Sequence, residues 1–494
     1  MVLKTTPAAP PPPLLRRGIL RGPFPSLGGV ADPKGLTGWF SLPFCTPLLR
    51  RGIWRKLLVR RAILVNAVSR QLGTTFASLH FFNYRVWFYG ALVSNMGAWI
   101  QRVGQDWLVL RVLTNANGWA PAIVTALQFL PFIGLSAYAG VLADRLPRRR
   151  LLVFTQAGQA VLAFSLGVLT LTGVVQLWHV YVFAFLLGCV TAIDNPVRQT
   201  FVQEMVPGDM LPNAVGLNSA SFNSSRLIGP AIAGLLVEAF GCGVTFVING
   251  CTFVATIAAL MMMRPKLLYP VPKVERHKGQ VKEAIQYVKG RRDLVMIFTV
   301  MAVMSCLAFN TQLTNALMAT KVFDKPAGQF GLISSVFAIG ALLGALAAAR
   351  RRHPRLRLIL TASFFFGIAA AVSAIAPTFW TFGLTGIFVG FCMLTTMTAA
   401  NATIQMSTEP AMRGRVISLY LLIFQGVTPI GSLVVGGIAQ HISTRWSVGI
   451  GSVAALTVTL AALWWARRNW RVTVRLDKVL PPRVTVVQLP DAVR

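Results

Sequence analysis

Charge is scarce in this chain. Only 12% of its 494 residues are Asp, Glu, Lys or Arg, about half the share of a soluble domain. Acidic residues are the rarest, 14 against 47 Lys and Arg. A chain so poor in charge has little with which to coat a water-facing surface, which excludes a soluble globular protein. The hardware for nucleotide chemistry is missing too, because no Gly-x-x-x-x-Gly-Lys-Ser/Thr run is present to cradle phosphates. The five histidines (His80, His179, His277, His353, His441) are scattered near loops and span ends without an HExxH spacing, and read as surface residues. The six cysteines (Cys45, Cys189, Cys242, Cys251, Cys306, Cys392) lack metal-ligand spacing, and five lie in or beside apolar stretches, where they read as small core residues. No metal and no cofactor is expected, and the chain is not read as an enzyme.

What the chain has in quantity is apolar surface: 55% hydrophobic residues and a mean hydropathy of +0.63. Apolar windows of about twenty residues, each long enough to cross a bilayer core, recur at 86–113, 119–142, 151–173, 176–195, 212–240, 243–263, 294–319, 327–349, 357–376, 378–400, 413–440 and 446–466. That makes twelve spans in an all-α polytopic membrane protein. The connections alternate in charge. Arginine-rich loops at 143–150, 264–293 and 350–357 are separated by 173–176, 241–243 and 376–378, which carry no Lys or Arg. The basic loops are expected to face the cytoplasm, and an even number of spans puts both termini there, as Arg85 before the first span and Arg467, Arg468 and Arg471 after the last suggest. The net charge of +33 would point to nucleic acid in a soluble protein. Here it is mostly a topology signal, and no nucleic-acid partner is expected beside the lipid bilayer.

The long loop 264–293 contains EAIQYVKG, spaced as a short amphipathic helix at the membrane interface. It divides the spans six and six, into 81–263 and 294–470. Internal repetition supports two pseudo-symmetric six-helix bundles: with a shift of 202, Gln203, Leu217, Phe222, Gly229 and Gly234 meet Gln405, Leu419, Phe424, Gly431 and Gly436. Transporters built from parallel repeats bind substrate between the halves. Residues 1–80 carry twelve Lys/Arg against Asp32 alone. They read as a disordered, Pro-rich basic extension, with an upstream start or a membrane-surface arm as the open alternatives. The tail 471–494 is polar and is expected to be unstructured.

The stretch GVLADRLPRRR at 140–150 resembles the loop signature of the major facilitator superfamily, Gly-x-x-x-Asp-Arg-x-x-Arg-Arg between spans two and three. NSSRLIGPAIAGLL at 223–236 is similar to that superfamily's antiporter motif, with Gly229, Pro230 and Gly234 in place and Ala233 where a glycine is usual. GAWIQRVGQDWLVL in span one and DNPVRQ after span four resemble the twelve-span drug:proton antiporter branch, which includes macrolide and siderophore exporters. The resemblance covers roughly 72–470. Two positions depart from the signature: Pro147 stands where glycine is frequent, and Ala348 replaces the aspartate in the second half. The resemblance implies a secondary exporter in a bacterial plasma membrane, acting as a monomer on a small amphipathic compound in exchange for protons. A dedicated siderophore or metabolite exporter and a non-transporting sensor are the alternatives.

The resemblance also implies a cytoplasmic gate motif of Gly140, Asp144, Arg145, Arg148, Arg149 and Asp194. Asp144 would dock on the N-terminus of span eleven near Gly414, and Arg148 would pair with Asp194, clamping the halves in the outward-open state. From the residues themselves, span one places Asn95, Arg102 and Asp106 on one face with Gln101 and Gln105 beside them. Arg102 and Asp106 form an i, i+4 pair. Such a stripe is costly against lipid and should face a wet interior. Span seven adds Asn310, Gln312 and Asn315, and span two adds Gln128; singly, each amide also reads as interhelical packing glue. Asp106 reads either as the protonatable carrier, with burial favouring the neutral acid and Arg102 the carboxylate, or as a structural ion-pair member. For Arg226 three contacts are open: Asp106, an anionic substrate, or backbone carbonyls.

Overall fold

A computed structural model describes residues 76–115, 117–269, 280–349, 356–470, 473–477 and 483–487, all within the unit Gly73–Arg494. In chain order the helices are α1 (Phe82–Trp107), which continues through a π-turn at Leu108–Leu113, α2 (Trp119–Arg145), α3 (Arg148–Leu171), α4 (Leu177–Phe201), α5 (Leu211–Met262), α6 (Gln280–Gly290), α7 (Arg292–Val303), α8 (Thr311–Leu317), α9 (Ala327–Ala349), α10 (Leu356–Ala374), α11 (Phe379–Ser407), α12 (Pro410–Gly426), α13 (Thr428–His441) and α14 (Thr444–Trp470).

Nine helical stretches among the described residues are long and apolar enough to cross a membrane; α7 with α8, and α12 with α13, each count as one. The longest, α5, has 52 residues and at helical rise would reach ~78 Å, more than twice a bilayer core of about 30 Å. It divides at Gly241, whose φ of 78 suits glycine and strains any side chain. The helix is therefore long enough for two passes, and counting it twice and adding α1 and α2 makes the described residues consistent with twelve crossings.

The outside of the molecule is apolar. On α3, Phe154, Val161 and Val168 recur every seventh residue and are 73%, 63% and 55% exposed, a face that suits acyl chains and would aggregate in water. On α14 the exposed Trp446 and Trp464 are separated by ~27 Å of helix, about one hydrocarbon thickness, and tryptophan favours both interfaces.

Without water to drive association, the helices must meet by close packing. Gly234 on α5 lies against the start of α9, where an added Cβ would stand 2.6 Å from the Ala327 carbonyl oxygen. Its repeat counterpart Gly436 on α13 meets the start of α2, the space for a Cβ being filled by Ala122 and the Gly118 carbonyl. The earlier pair packs inside its own half, Gly229 against Trp99 on α1 and Gly431 against the Cys306 carbonyl, so the exchange between halves rests on Gly234 and Gly436. The duplicated sequence thus cross-packs reciprocally, each half lending one helix to the other.

Hydrogen bonds reinforce that exchange at the end opposite the arginine-rich loops. Glu238 Oε2 accepts from the Gly328 N–H at 3.0 Å, and Gln440 Oε1, its counterpart under the same shift, accepts from the Gly118 N–H at 2.8 Å. Each supplies an acceptor to a donor at the start of the other half's helix, where no intrahelical partner exists. Arg111 pairs with Asp324 and donates to the Thr320 carbonyl at 2.9 Å, and Trp119 Nε1 donates to His441 Nε2 at 3.0 Å. At the basic end, three contacts stay within one half or join it to the linker. Arg148 pairs with Glu204, Arg149 donates to the Leu260 carbonyl at 2.7 Å, and Arg415 of α12 pairs with Glu283 of α6.

Two sequence expectations change. Helix α6 forms where EAIQYVKG stands, with Ala284 and Val288 buried in one cluster with residues of the last six crossings and Val281 and Ile285 exposed. Residues 77–80 form a 3-10 turn tied down by Ser78 Oγ, which donates to Asn213 Oδ1 at 2.7 Å; the readings of 1–75 lie outside the described residues. In the tail, β1 (Thr473–Asp477) and β2 (Arg483–Val487) pair antiparallel with Arg475 opposite Thr485. The β-branched alternation of TVRLD and RVTVV favours strands over the coil expected there.

Gly241→Ala is expected to lower the thermal midpoint of the detergent-purified protein, because a side chain in the left-handed region costs about 1–2 kcal/mol. Gly134→Ala, inside α2 with nothing within 4 Å of the new methyl, should leave the midpoint unchanged or raise it. A Gly241→Ala midpoint equal to wild type would mean that the two passes do not depend on this turn.

Candidate functional site

Helices α1, α2 and α5 from the first six crossings face the turn Met304–Ala308 and α8, α9, α11, α12 and α13 from the last six across a central cavity of about 230 Å³. Its charged lining residues are Arg102, Asp106 and Arg226; its amides are Gln105, Gln128, Asn310, Gln312, Asn315 and Gln425; Trp99, Phe129, Phe309, Phe337 and Phe424 supply the aromatic walls. Of the sequence stripe on span one, Arg102, Gln105 and Asp106 face this cavity.

Local breaks in helix geometry shape this site. The π-turn of Leu108–Leu113 follows directly on Asp106 and Trp107, and a second π-turn, Met304–Ala308, precedes Asn310. Between that turn and α8, Phe309 and Asn310 leave helical geometry. The Phe309 N–H reaches back to the Met304 carbonyl at 2.8 Å and Asn310 Nδ2 donates to the Cys306 carbonyl at 2.7 Å. π-turns inside helices concentrate at functional sites, and a broken helix at membrane depth is tolerated where it lines a cavity.

Asp106 is 9% exposed. Its Oδ2 accepts from Gln312 Nε2 at 3.0 Å, a bond between the two halves. The anticipated contact pair of Arg102 with Asp106 does not form: no ion pair joins them among the described residues. An arginine one turn N-terminal to an aspartate is the weaker orientation of an i, i+4 pair. Arg102 lies instead over the Trp99 and Phe129 rings, 5.8 and 5.9 Å from their centroids, with Gln128 Oε1 at 3.5 Å. Arg226, one turn before Gly229, makes no hydrogen bond or ion pair among the described residues, and lies near enough to Arg102 for the two positive charges to repel.

Asn95, two turns before Arg102, is not part of this lining; it shares the face but falls beyond the cavity's end. Gln101 points elsewhere and accepts from Asn249 Nδ2, joining the first and sixth crossings. Gln425 and Thr428 were missed, although the repeat held the signal: Thr428 is the counterpart of Arg226, and both line the cavity.

The basic signature is only partly within view. Gly140, Asp144 and Arg145 lie on α2, but their side chains are outside the described residues. The expected pairing of Arg148 with Asp194 is corrected. Asp194 is occupied by Arg198 Nε at 2.9 Å, Thr155 Oγ1 at 2.6 Å and Gln156 Nε2 at 2.9 Å, while Arg148, at the start of α3, pairs with Glu204 in the turn that follows α4. An aspartate four residues before an arginine is the favourable helical order, which keeps Asp194 on its own helix. The antiporter motif packs: Gly229 admits Trp99, Gly234 admits α9, and the Pro230 carbonyl fills the space a Cβ at Gly331 would need.

Comparison with known proteins agrees with this architecture. A family model described as transmembrane secretion effector matches residues 73–486. The chain is 25% identical to the staphyloferrin A transporter of Staphylococcus aureus over 375 residues, 74% of this chain and 91% of that one. It is 26% identical over 366 residues to the multidrug efflux pump Tap of Mycolicibacterium fortuitum (71% and 88%), and 22% identical over 374 residues to macrolide efflux protein A of Streptococcus pyogenes (74% and 92%). Among solved structures, a bacterial homologue of the human lysosomal transporter Spinster, inward-facing and unoccupied, superposes with a TM-score of 0.61 at 14% identity over 78% of this chain and 97% of that one. A POT family transporter in complex with 5-aminolevulinic acid gives 0.65 at 11% identity (78% and 96%).

Proposed function

The chain belongs to the transmembrane secretion effector family of the major facilitator superfamily, and we propose that it exports a small amphipathic compound across the bacterial plasma membrane in exchange for protons. Relatives named for staphyloferrin A, multidrug and macrolide transport support a small organic substrate. The observation that carries the coupling is Asp106, a buried carboxylate in the cavity wall whose hydrogen bond to Gln312 spans the two halves. As a carboxylate it accepts that bond; once protonated it loses its charge and holds Gln312 less tightly. One group thus senses proton supply and helps to set how the halves engage.

The pattern of contacts supports alternating access. With the basic loops inside, the cross-half bonds of Arg111, Glu238 and Gln440 close the outer end, which is the arrangement of an inward-facing state. Asp144 docking on the start of α12 would then belong to the opposite, outward-open state, and both termini would be cytoplasmic. One chain encloses the cavity, which supports action as a monomer. The driving force is adequate, since each charge moved through 100 mV yields ~2.3 kcal/mol before any pH gradient is added. The polar lining at fixed positions, together with the staphyloferrin A relative, favours as a second reading a dedicated exporter of one polar metabolite.

Asp106→Asn is expected to abolish the drop in cellular accumulation that the wild type produces for its substrates in a panel of macrolides, dyes and metabolites, with surface expression unchanged. Wild-type export by the variant would remove Asp106 from the coupling. Separately, in a strain with single cysteines at the basic ends of α2 and α12, Asp144→Ala should raise the labelling rate from the cytoplasm by roughly fivefold or more, the scale of a conformational coupling of 1 kcal/mol and upward. An equal rate would exclude the clamp.

A further inference from the structure

We propose that the central cavity takes its substrate as an anion, a carboxylate-bearing amphiphile whose charged end is held by Arg226 with Arg102 behind it. The inference rests on the reading of this cavity as the transport site, and it adds the substrate's charge to that reading.

The charges of the lining do not balance. Arg102 and Arg226 face one acid, Asp106, and that acid is engaged by Gln312 across the interface. Arg226 has no hydrogen bond or ion pair among the described residues, and Arg102 makes one long contact, 3.5 Å to Gln128. A guanidinium carries five donors in a planar fork that fits a carboxylate in bidentate fashion. To leave such a fork unmatched at membrane depth is costly, and charges there are paired or mark a ligand path. None of the second half's lining residues is charged, and the repeat counterpart of Arg226 is Thr428, so no acid faces Arg226 from across the gap. A cation entering the cavity would meet two like charges; an anion would complete the set. The Trp99 and Phe129 rings already stack on Arg102 and leave apolar walls for the remainder of an amphipathic molecule.

The test is equilibrium binding to the full-length protein in nanodiscs, with no gradient applied, using labelled 2-naphthylacetate and the cation of matched shape, 2-naphthylethylammonium. Wild type should bind the carboxylate at millimolar concentration or below and at least about tenfold more tightly than the ammonium, and Arg226→Gln should weaken the carboxylate by about tenfold to a hundredfold, the range of a charge-assisted hydrogen bond. Arg226→Lys should keep part of the affinity, which separates charge from fold, and an unchanged thermal midpoint checks both variants. Tighter binding of the ammonium, no binding of the carboxylate by wild type, or an Arg226→Gln affinity equal to wild type would each overturn the proposal. So would displacement by sodium sulfate as effective as by unlabelled naphthylacetate, which would reveal a bare inorganic-anion site. Because no proton flux is measured, failure here leaves proton-coupled export standing, and failure of Asp106→Asn to stop export leaves this result intact.

Discussion

Three charged side chains held at bilayer depth set the terms for the rest of this molecule. Each would cost roughly 2.5–3.5 kcal/mol at the centre of an isolated span, so Arg102, Asp106 and Arg226 are tolerable only if the helices around them enclose a polar space. The π-turns after Trp107 and before Phe309 and the broken backbone at Asn310 become intelligible on the same ground. They turn amides and aromatic faces toward the charges at a depth where irregular backbone is otherwise excluded. The cavity is the condition on which this chain can keep charges in its membrane interior at all.

Enclosing that space without filling it requires helices that meet closely at its edges. The glycines do this in repeat-related pairs, Gly229 with Gly431 and Gly234 with Gly436, each where a Cβ would strike a side chain or backbone of a neighbouring helix. Of these, the Gly234 and Gly436 contacts cross between the halves and hold them in register beside the polar bonds at the end opposite the arginine-rich loops. Those bonds are few and local. Glu238 and Gln440 each meet one helix start, and Arg111 meets an exposed aspartate, an ion pair of the exposed kind worth about 1 kcal/mol or less. A closure assembled from small terms is one that a modest free-energy input can reverse.

Much of this architecture is legible from residues alone, because in lipid the dominant signal is one-dimensional. Runs of apolar residues, the spacing of arginine-rich loops and a repeat at a shift of 202 specify spans and halves without knowledge of contacts, and even the turn at Gly241 sits where the apolar windows parted. The polar interior is harder. Asp194 had several cations within reach on paper, and only three-dimensional placement shows Arg198 taking it and Arg148 turning to Glu204. Arg102 and Asp106 have contact spacing, yet Arg102 lies over the Trp99 and Phe129 rings and Asp106 is engaged by Gln312 of the other half. Gln425 and Thr428 are readable only through the repeat, since the second half contributes no charge to the cavity lining.

That one-sidedness has a mechanical consequence. Arg102, Asp106 and Arg226 all belong to the first half, on α1 and α5, while the opposing wall offers Asn310, Gln312, Gln425 and other neutral groups. The contacts available across the gap are therefore hydrogen bonds between a charge and a neutral amide, worth about 1.5–3 kcal/mol. Ion pairs placed across the same gap would leave an uncompensated charge on each side whenever they parted, at about 3–5 kcal/mol for each broken pair. Gene duplication would by default have left like groups facing one another. Because every cavity charge lies on one half, no ion pair spans the cavity, and a displacement of the opposing wall would strand no ion there.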